Sequence, residues 1–171
     1  MAGAGTSDTR QYLTFTLGEE VFGLEVTRVR EILEFAAVTK VPRTPDFMRG
    51  VINLRGSVVP VVDMRLKFGM PKAEKTVNTC IIVVEISLDG DTAVLGALVD
   101  SVREVFELES DQVEPPPGLG LKGKAELIKG MGKRDTQFVM ILDIGKIFSM
   151  DELEMVKETD GGQPLEQAVQ A

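Results

Sequence analysis

The stretch VFGLEVTRVREIL at 21–33 recurs at 94–106 as VLGALVDSVREVF, without a gap and at an offset of 73 residues. Val21, Gly23, Val26, Val29, Arg30 and Glu31 fall on Val94, Gly96, Val99, Val102, Arg103 and Glu104. A second block repeats more loosely. GVINLRGSVVPVVD at 50–63 lies on GMGKRDTQFVMILD at 130–143, at an offset of 80, and carries Phe68 onto Phe148. The loop EPPPGLGLKGKAELI absorbs the difference between the two offsets. A chain of 171 residues is therefore expected to hold two similar halves of about 70 residues each, the mark of duplication. Units that small are marginal alone, so apolar surface between them should join them into one body.

Each half reads as β. QYLTFTL at 11–17 alternates, with Tyr12, Thr14 and Thr16 on one face and Leu13, Phe15 and Leu17 on the other. A turn at GEE leads into VFGLEV, a hairpin signal. LEFAAVTKV predicts a third strand, ended by Pro42. GVINL, the turn RGS and VVPVVDM predict another hairpin, in which Pro60 marks an edge or a bulge because it cannot donate to a ladder. The second half follows with CIIVVEISL, a turn at 89–90, TAVLGALV, EVFELE and TQFVMILDI. Five short strands per half suggest a small closed barrel, since closure removes adhesive edges. Asp63 and Asp143 read as N-caps of brief helices, and SMDELEMVK at 149–157 as a terminal helix. The expected organisation is a flexible tail at 1–9, a single domain at 10–158 and a flexible tail at 159–171. Within the domain, barrel one spans about 11–70 and barrel two about 76–148, with exchange of segments between them left open.

Composition removes several classes of function. Nineteen Lys and Arg against 27 Asp and Glu give a net charge of −8, the wrong sign for a phosphate-backbone binder, and with no Trp and one Tyr there is little for bases to stack on. No nucleic acid is expected. The absence of His excludes Ser-His-Asp and Cys-His catalysis and every His-based metal site. Cys80, the one cysteine, sits in the apolar run TCIIVVEI and reads as core packing. The start MAGAGTSDTR lacks the pattern of a secretory signal, and no apolar run is long enough to span a bilayer. A cytoplasmic chain without direct membrane insertion is expected.

Catalysis finds no support. Asp63 and Asp143, one from each half, superficially resemble a carboxylate pair sharing a proton, but they stand in DMR and DIG, and capping explains both. GLGLKGK at 118–124 lacks the spacing and the hydroxyl residue of a phosphate-binding loop. Neither a cofactor nor a metal is expected, and the chain is not read as an enzyme.

Binding is the class that remains. GVINLRGSVVPVVDMRLKF at 50–68 closely resembles the most distinctive segment of the CheW family of chemotaxis coupling proteins. YLTFTLGEEVFGLEVTRVREIL at 12–33 and VPRTPDFMRGVINLRG at 41–56 fit the same family, and the resemblance runs over about 11–157. It implies a mainly β fold of two SH3-like five-stranded β-barrels, with short helices and a C-terminal helix. It further implies an adaptor that binds the cytoplasmic hairpin tip of methyl-accepting chemoreceptors and the regulatory domain of the CheA histidine kinase.

By the same resemblance, Val29, Glu31, Ile32 and Arg55 are expected to contact the receptor. Gly50, Val99 and Val102 are expected at the coupling or kinase interface. A helix tip laid in an apolar groove needs aliphatic anchors, which Val29 and Ile32 would supply, and rim charges such as Glu31 and Arg55 would set its register. Asn53 reads instead as a turn residue. In the second half Asp135 takes the place of Arg55, so only the first copy is expected to meet the receptor. Two other readings are a coupling module of a non-chemotactic receptor–kinase pathway and a small-ligand β-barrel.

Overall fold

The structure, a computed structural model, describes residues 9–35, 38–88, 90–115, 127–134 and 136–147. The expected terminal helix at 149–157, both tails, Phe148 and Asp135 lie outside them. Strands β1 (Thr9–Leu17), β2 (Glu20–Glu25), β3 (Val29–Glu34), β4 (Met48–Leu54) and β5 (Ser57–Asp63) are followed by a short helix, α1 (Met64–Lys67). Then come β6 (Cys80–Leu88), β7 (Asp91–Val99), β8 (Ser101–Glu109), β9 (Val113–Glu114), β10 (Ile128–Arg134), β11 (Gln137–Leu142) and the short helix α2 (Ile144–Ile147). The third strand begins at Val29 rather than Leu33, because a 3-10 turn at Val26–Arg28 redirects the chain immediately before it.

Two sheets result, in the orders β8-β1-β2-β11-β10-β9 and β3-β6-β7-β5-β4. The division expected near residue 70 is a boundary of the repeat, not of the sheets. Hairpin β1–β2 sits with strands of the second half, and hairpin β6–β7 with strands of the first. The five-stranded sheet is thus one contiguous segment, 29–99, inserted between β2 and β8.

The repeat survives this exchange with its register intact. Val61 pairs in parallel with Gly96, and their repeat equivalents, Ile141 and Gly23, pair likewise. Both glycines leave room for close strand approach: a Cβ on Gly96 would stand 2.8 Å from Ile81 Cγ2, and one on Gly23 3.2 Å from Ile141 Cδ1. Asp63 N donates to Phe47 O, and the equivalent Asp143 N donates to Leu127 O.

Each sheet curls closed over its own interior. The chain beyond β3 bridges to β4 at Thr39–Val51, and β8 continues through a 3-10 turn into β9, which pairs with β10. Tyr12, Val21, Phe106, Leu108, Val139 and Ile141 fill the six-stranded barrel. Val61, Ile81, Val83 and Leu98 fill the five-stranded one. A larger core lies between them, where Leu13, Phe15, Leu17 and Leu24 meet Val62, Ile82, Val84 and Leu95. Burying each such side chain is worth roughly 1.5–3 kcal/mol, which makes the two barrels one unit. Strands β1 and β6 therefore bury both faces, one in a barrel and the other between barrels. This accounts for the nearly unbroken apolar run around Cys80. Pro60 also finds its reason: Val51 opposite spends its N–H and C=O on Thr39, so Pro60 is not asked for a donor toward β4.

Candidate functional site

Strand β3 pairs with β6 on one side, and its side chains alternate between half-buried and exposed. Val29 and Leu33 pack inward, Val29 against the inter-barrel core. Ile32 faces outward and is 44% exposed, a high value for a large aliphatic. Of the two expected anchors, Ile32 is the more exposed. Val29 chiefly holds the strand onto the core.

Arg55 reaches this strand from the β4–β5 turn. Leu54 pairs with Ser57, leaving Arg55 and Gly56 as the two central residues, at φ values of 51° and 88°. Positive φ at both positions is the mark of a primed hairpin turn, whose twist matches that of the strands. Asn53 Oδ1 accepts from Gly56 N at 2.9 Å and fixes the turn, the role its sequence position predicts. The Arg55 guanidinium then lies in bidentate contact with the Glu31 carboxylate, Nη1 to Oε1 at 3.3 Å and Nη2 to Oε2 closer still. The hydrogen bond and charge of Glu31 raise the Arg55 pKa above its already high value, so the cation is permanent. Arg55 is largely exposed, with its side chain 72% accessible, while Glu31 is more sheltered. The ion pair is worth little as a stabiliser in such a setting. It fixes a charge pair one residue away from exposed Ile32, on the alternate face of the strand.

The remaining expected residues fall elsewhere. Gly50 is buried at a bulge in β4 with φ of 143°, and a Cβ there would stand 2.1 Å from Thr39 O. Val99 is 1% exposed in the inter-barrel core, and Val102 packs against that core from β8. Gly50 carries no side chain and that of Val99 is enclosed in the inter-barrel core, so neither offers a side chain to the described surface.

In the second copy, Val105 replaces Ile32 and is 48% exposed, and Glu104 replaces Glu31. The backbone there is pinned differently. Thr14 Oγ1 donates to Glu104 O at 2.7 Å and accepts from Glu104 N at 3.0 Å, closing a bulge. Asp135, the counterpart of Arg55, lies outside the described residues.

Asp63 has no catalytic posture. It is 3% exposed, and its Oδ1 accepts from the backbone N–H of Arg65 and Leu66 at 3.0 and 3.3 Å. Its Oδ2 accepts from Arg49 at 3.3 Å. It is the helix cap that its position before α1 predicts. Among the described residues no cluster of three or more His, Cys, Asp or Glu side chains could hold a metal, and no helix is long and apolar enough to cross a membrane. Two charged clusters have no counterpart among the sequence expectations. Glu25 receives Arg10 and, at 3.0 Å, Lys129, and Asp100 receives Arg65. Asp100 leaves one faint signal, as the single acidic residue between two strands in ALVDSVRE.

Fold and site together define a duplicated SH3-like β-barrel protein with a charge pair fixed between β3 and the β4–β5 turn. Comparison with known proteins places it more narrowly. The family profile of the CheW-like domain matches residues 11–152, and the chain belongs to that family. The chemotaxis protein CheW of Klebsiella aerogenes is 35% identical over 153 residues, 90% of each chain. Protein FrzA of Myxococcus xanthus is 30% identical over 122 residues, 71% of this chain and 73% of that one. In three dimensions the chain resembles the scaffolding protein TtCheW of Thermoanaerobacter tengcongensis, with a TM-score of 0.74 and 34% identity. The match covers 84% of this chain and 94% of that one.

Proposed function

We propose that this protein is a non-catalytic cytoplasmic adaptor that couples methyl-accepting chemoreceptors to the CheA histidine kinase. The observation that carries the reading is the arrangement of residues on β3. Exposed Ile32 stands in sequence beside Glu31, whose carboxylate is locked to Arg55 on a rigid turn, all within a member of the CheW-like family. An exposed aliphatic and a fixed charge pair on neighbouring residues of one strand suit an amphipathic helical tip: the aliphatic supplies affinity and the charges supply register. Because β3 and the turn are held by sheet hydrogen bonds and by Asn53, little ordering cost falls on binding.

The kinase regulatory domain is assigned to the outer surface of the six-stranded barrel, where Val105 and Phe138 are each about half exposed. Val102 of β8 packs against the core between the barrels. Gly50 and Val99 influence coupling through the geometry of the barrels. Co-sedimentation of receptor-bearing membranes with kinase and this protein tests the proposal. Wild type should pellet with the receptor and carry kinase with it, and failure to pellet with either partner would overturn the reading.

A further inference from the structure

The chain passes between the two barrels twice, once through the 3-10 turn Val26–Arg28 and once through Asp100 alone, which links β7 to β8. The second crossing is the tighter, and its one residue is bonded in both directions. Toward the five-stranded barrel, the carboxylate of Asp100 takes a forked contact from Arg65 on α1, with Nε at 2.8 Å and Nη2 at 2.5 Å. Toward the six-stranded barrel, it accepts from Gly18 N in the β1–β2 turn at 2.7 Å. Its own N–H donates to Thr16 O at 3.1 Å, and the neighbouring Ser101 hydroxyl meets that of Thr16 at 2.7 Å. Arg65 is held in turn, donating to Pro71 O at 3.3 Å.

We infer that Asp100 is a positioning residue that sets the angle between the barrels, acting as a clamp at a one-residue pivot. Two facts distinguish it from an ordinary partly buried ion pair. First, its three anchoring groups come from both barrels, so the contact cannot survive a relative rotation. Second, an apolar core between barrels is non-directional, and side-chain packing alone tolerates small sliding. A bidentate guanidinium–carboxylate contact is directional and resists it. The carboxylate at the other crossing has a different role. Glu25 is bonded by Arg10 of β1 and Lys129 of β10, both in the six-stranded sheet, so it secures one end of the crossing without tying barrel to barrel.

The test uses the full chain alone, so its outcome is independent of any receptor or kinase. In a Cys80→Ser background, which removes the one native thiol, spin labels at Thr92 of β7 and Glu107 of β8 report the distance between barrels. Wild type should give one narrow distance distribution. Asp100→Ala should add a displaced population of at least about a tenth of the molecules, the upper end of ordinary minor-state occupancy. Arg65→Met, which keeps much of the stem and loses the fork, should do the same and decides the matter if Asp100→Ala does not fold. Glu25→Gln should stay narrow. A narrow, unshifted distribution in both clamp variants would overturn the inference, as would equal broadening in Glu25→Gln.

Discussion

Replacing Gly50 by alanine should destabilise the five-stranded barrel at its seam. The added Cβ would lie 2.1 Å from Thr39 O, 2.7 Å from Thr39 C and 2.8 Å from Val38 Cγ1, and the first two are backbone atoms that cannot rotate away. Relief requires separating Thr39 from β4, which breaks the reciprocal bonds Thr39 N to Val51 O at 2.9 Å and Val51 N to Thr39 O at 2.8 Å. Two such bonds contribute roughly 0.5–1.5 kcal/mol each. A non-glycine residue at φ of 143° adds strain of order 1–3 kcal/mol. The total is about 2–6 kcal/mol, a large part of the stability of a domain worth about 5–15 kcal/mol.

Gly69 supplies the control, since it too has positive φ, 77°, but a Cβ there meets nothing within 4 Å. Gly69→Ala should cost about 1–2 kcal/mol from left-handed strain alone. Urea denaturation followed by circular dichroism measures both, with the slope checked so that midpoints are comparable. If Gly50→Ala and Gly69→Ala lose the same stability, the seam does not hold the barrel, and Gly50 would return to consideration as a contact residue.

Three further outcomes follow from the same geometry. Arg55→Asn creates the Asn-Gly pair that primed turns favour, so the unfolding midpoint should stay level or rise while receptor-tip binding falls; a lower midpoint with unchanged binding would refute it. Glu31→Lys should weaken receptor-tip binding at least about tenfold by placing a cation beside Arg55, whereas Glu104→Lys should leave it nearly unchanged. Equal losses would make both copies of the repeat functional. Acid should destabilise the fold through Glu25 and Asp100. Burial opposes ionisation of both carboxyls, but the bonds from Lys129 and Arg10, and from Arg65 and Gly18, outweigh it and hold their pKa values below the ordinary 4.5 and 3.8. The folded protein therefore binds fewer protons than the unfolded chain, and stability present above about pH 4.5 should be lost as pH falls through the lowered values. Melts across that range should show a shallower decline in the double variant Glu25→Gln/Asp100→Asn.

Much of this fold is legible in the sequence because duplication leaves its mark in register. The offsets 80 and 73 read from the two repeated blocks carry the pair Val61–Gly96 onto the pair Ile141–Gly23, and both are parallel partners in the structure. Asn53 in its turn and Asp63 at its cap are legible because both act on backbone within three residues. The exchange of hairpins is not, since a repeat says that two sheets are alike and not which half closes each one. The burial of Val99 is hard to read for a related reason: β7 buries Leu98 in one core and Val99 in another, so alternation carries no sign of inside and outside. Ile32, Glu31 and Arg55 are singled out by family resemblance. Their contact depends on a turn conformation that Arg-Gly permits but does not advertise. Asp100 and Arg65 lie 35 residues apart with no local pattern joining them.

The most direct test of the adaptor reading is the autophosphorylation rate of the CheA-type kinase with receptor-bearing membranes, in the presence and absence of this protein. Wild type should raise the rate above that of receptor and kinase alone, and attractant should suppress it. Glu31→Lys should abolish the rise while remaining folded. A rate that is indifferent to wild-type protein would contradict the claim that this chain joins receptor to kinase.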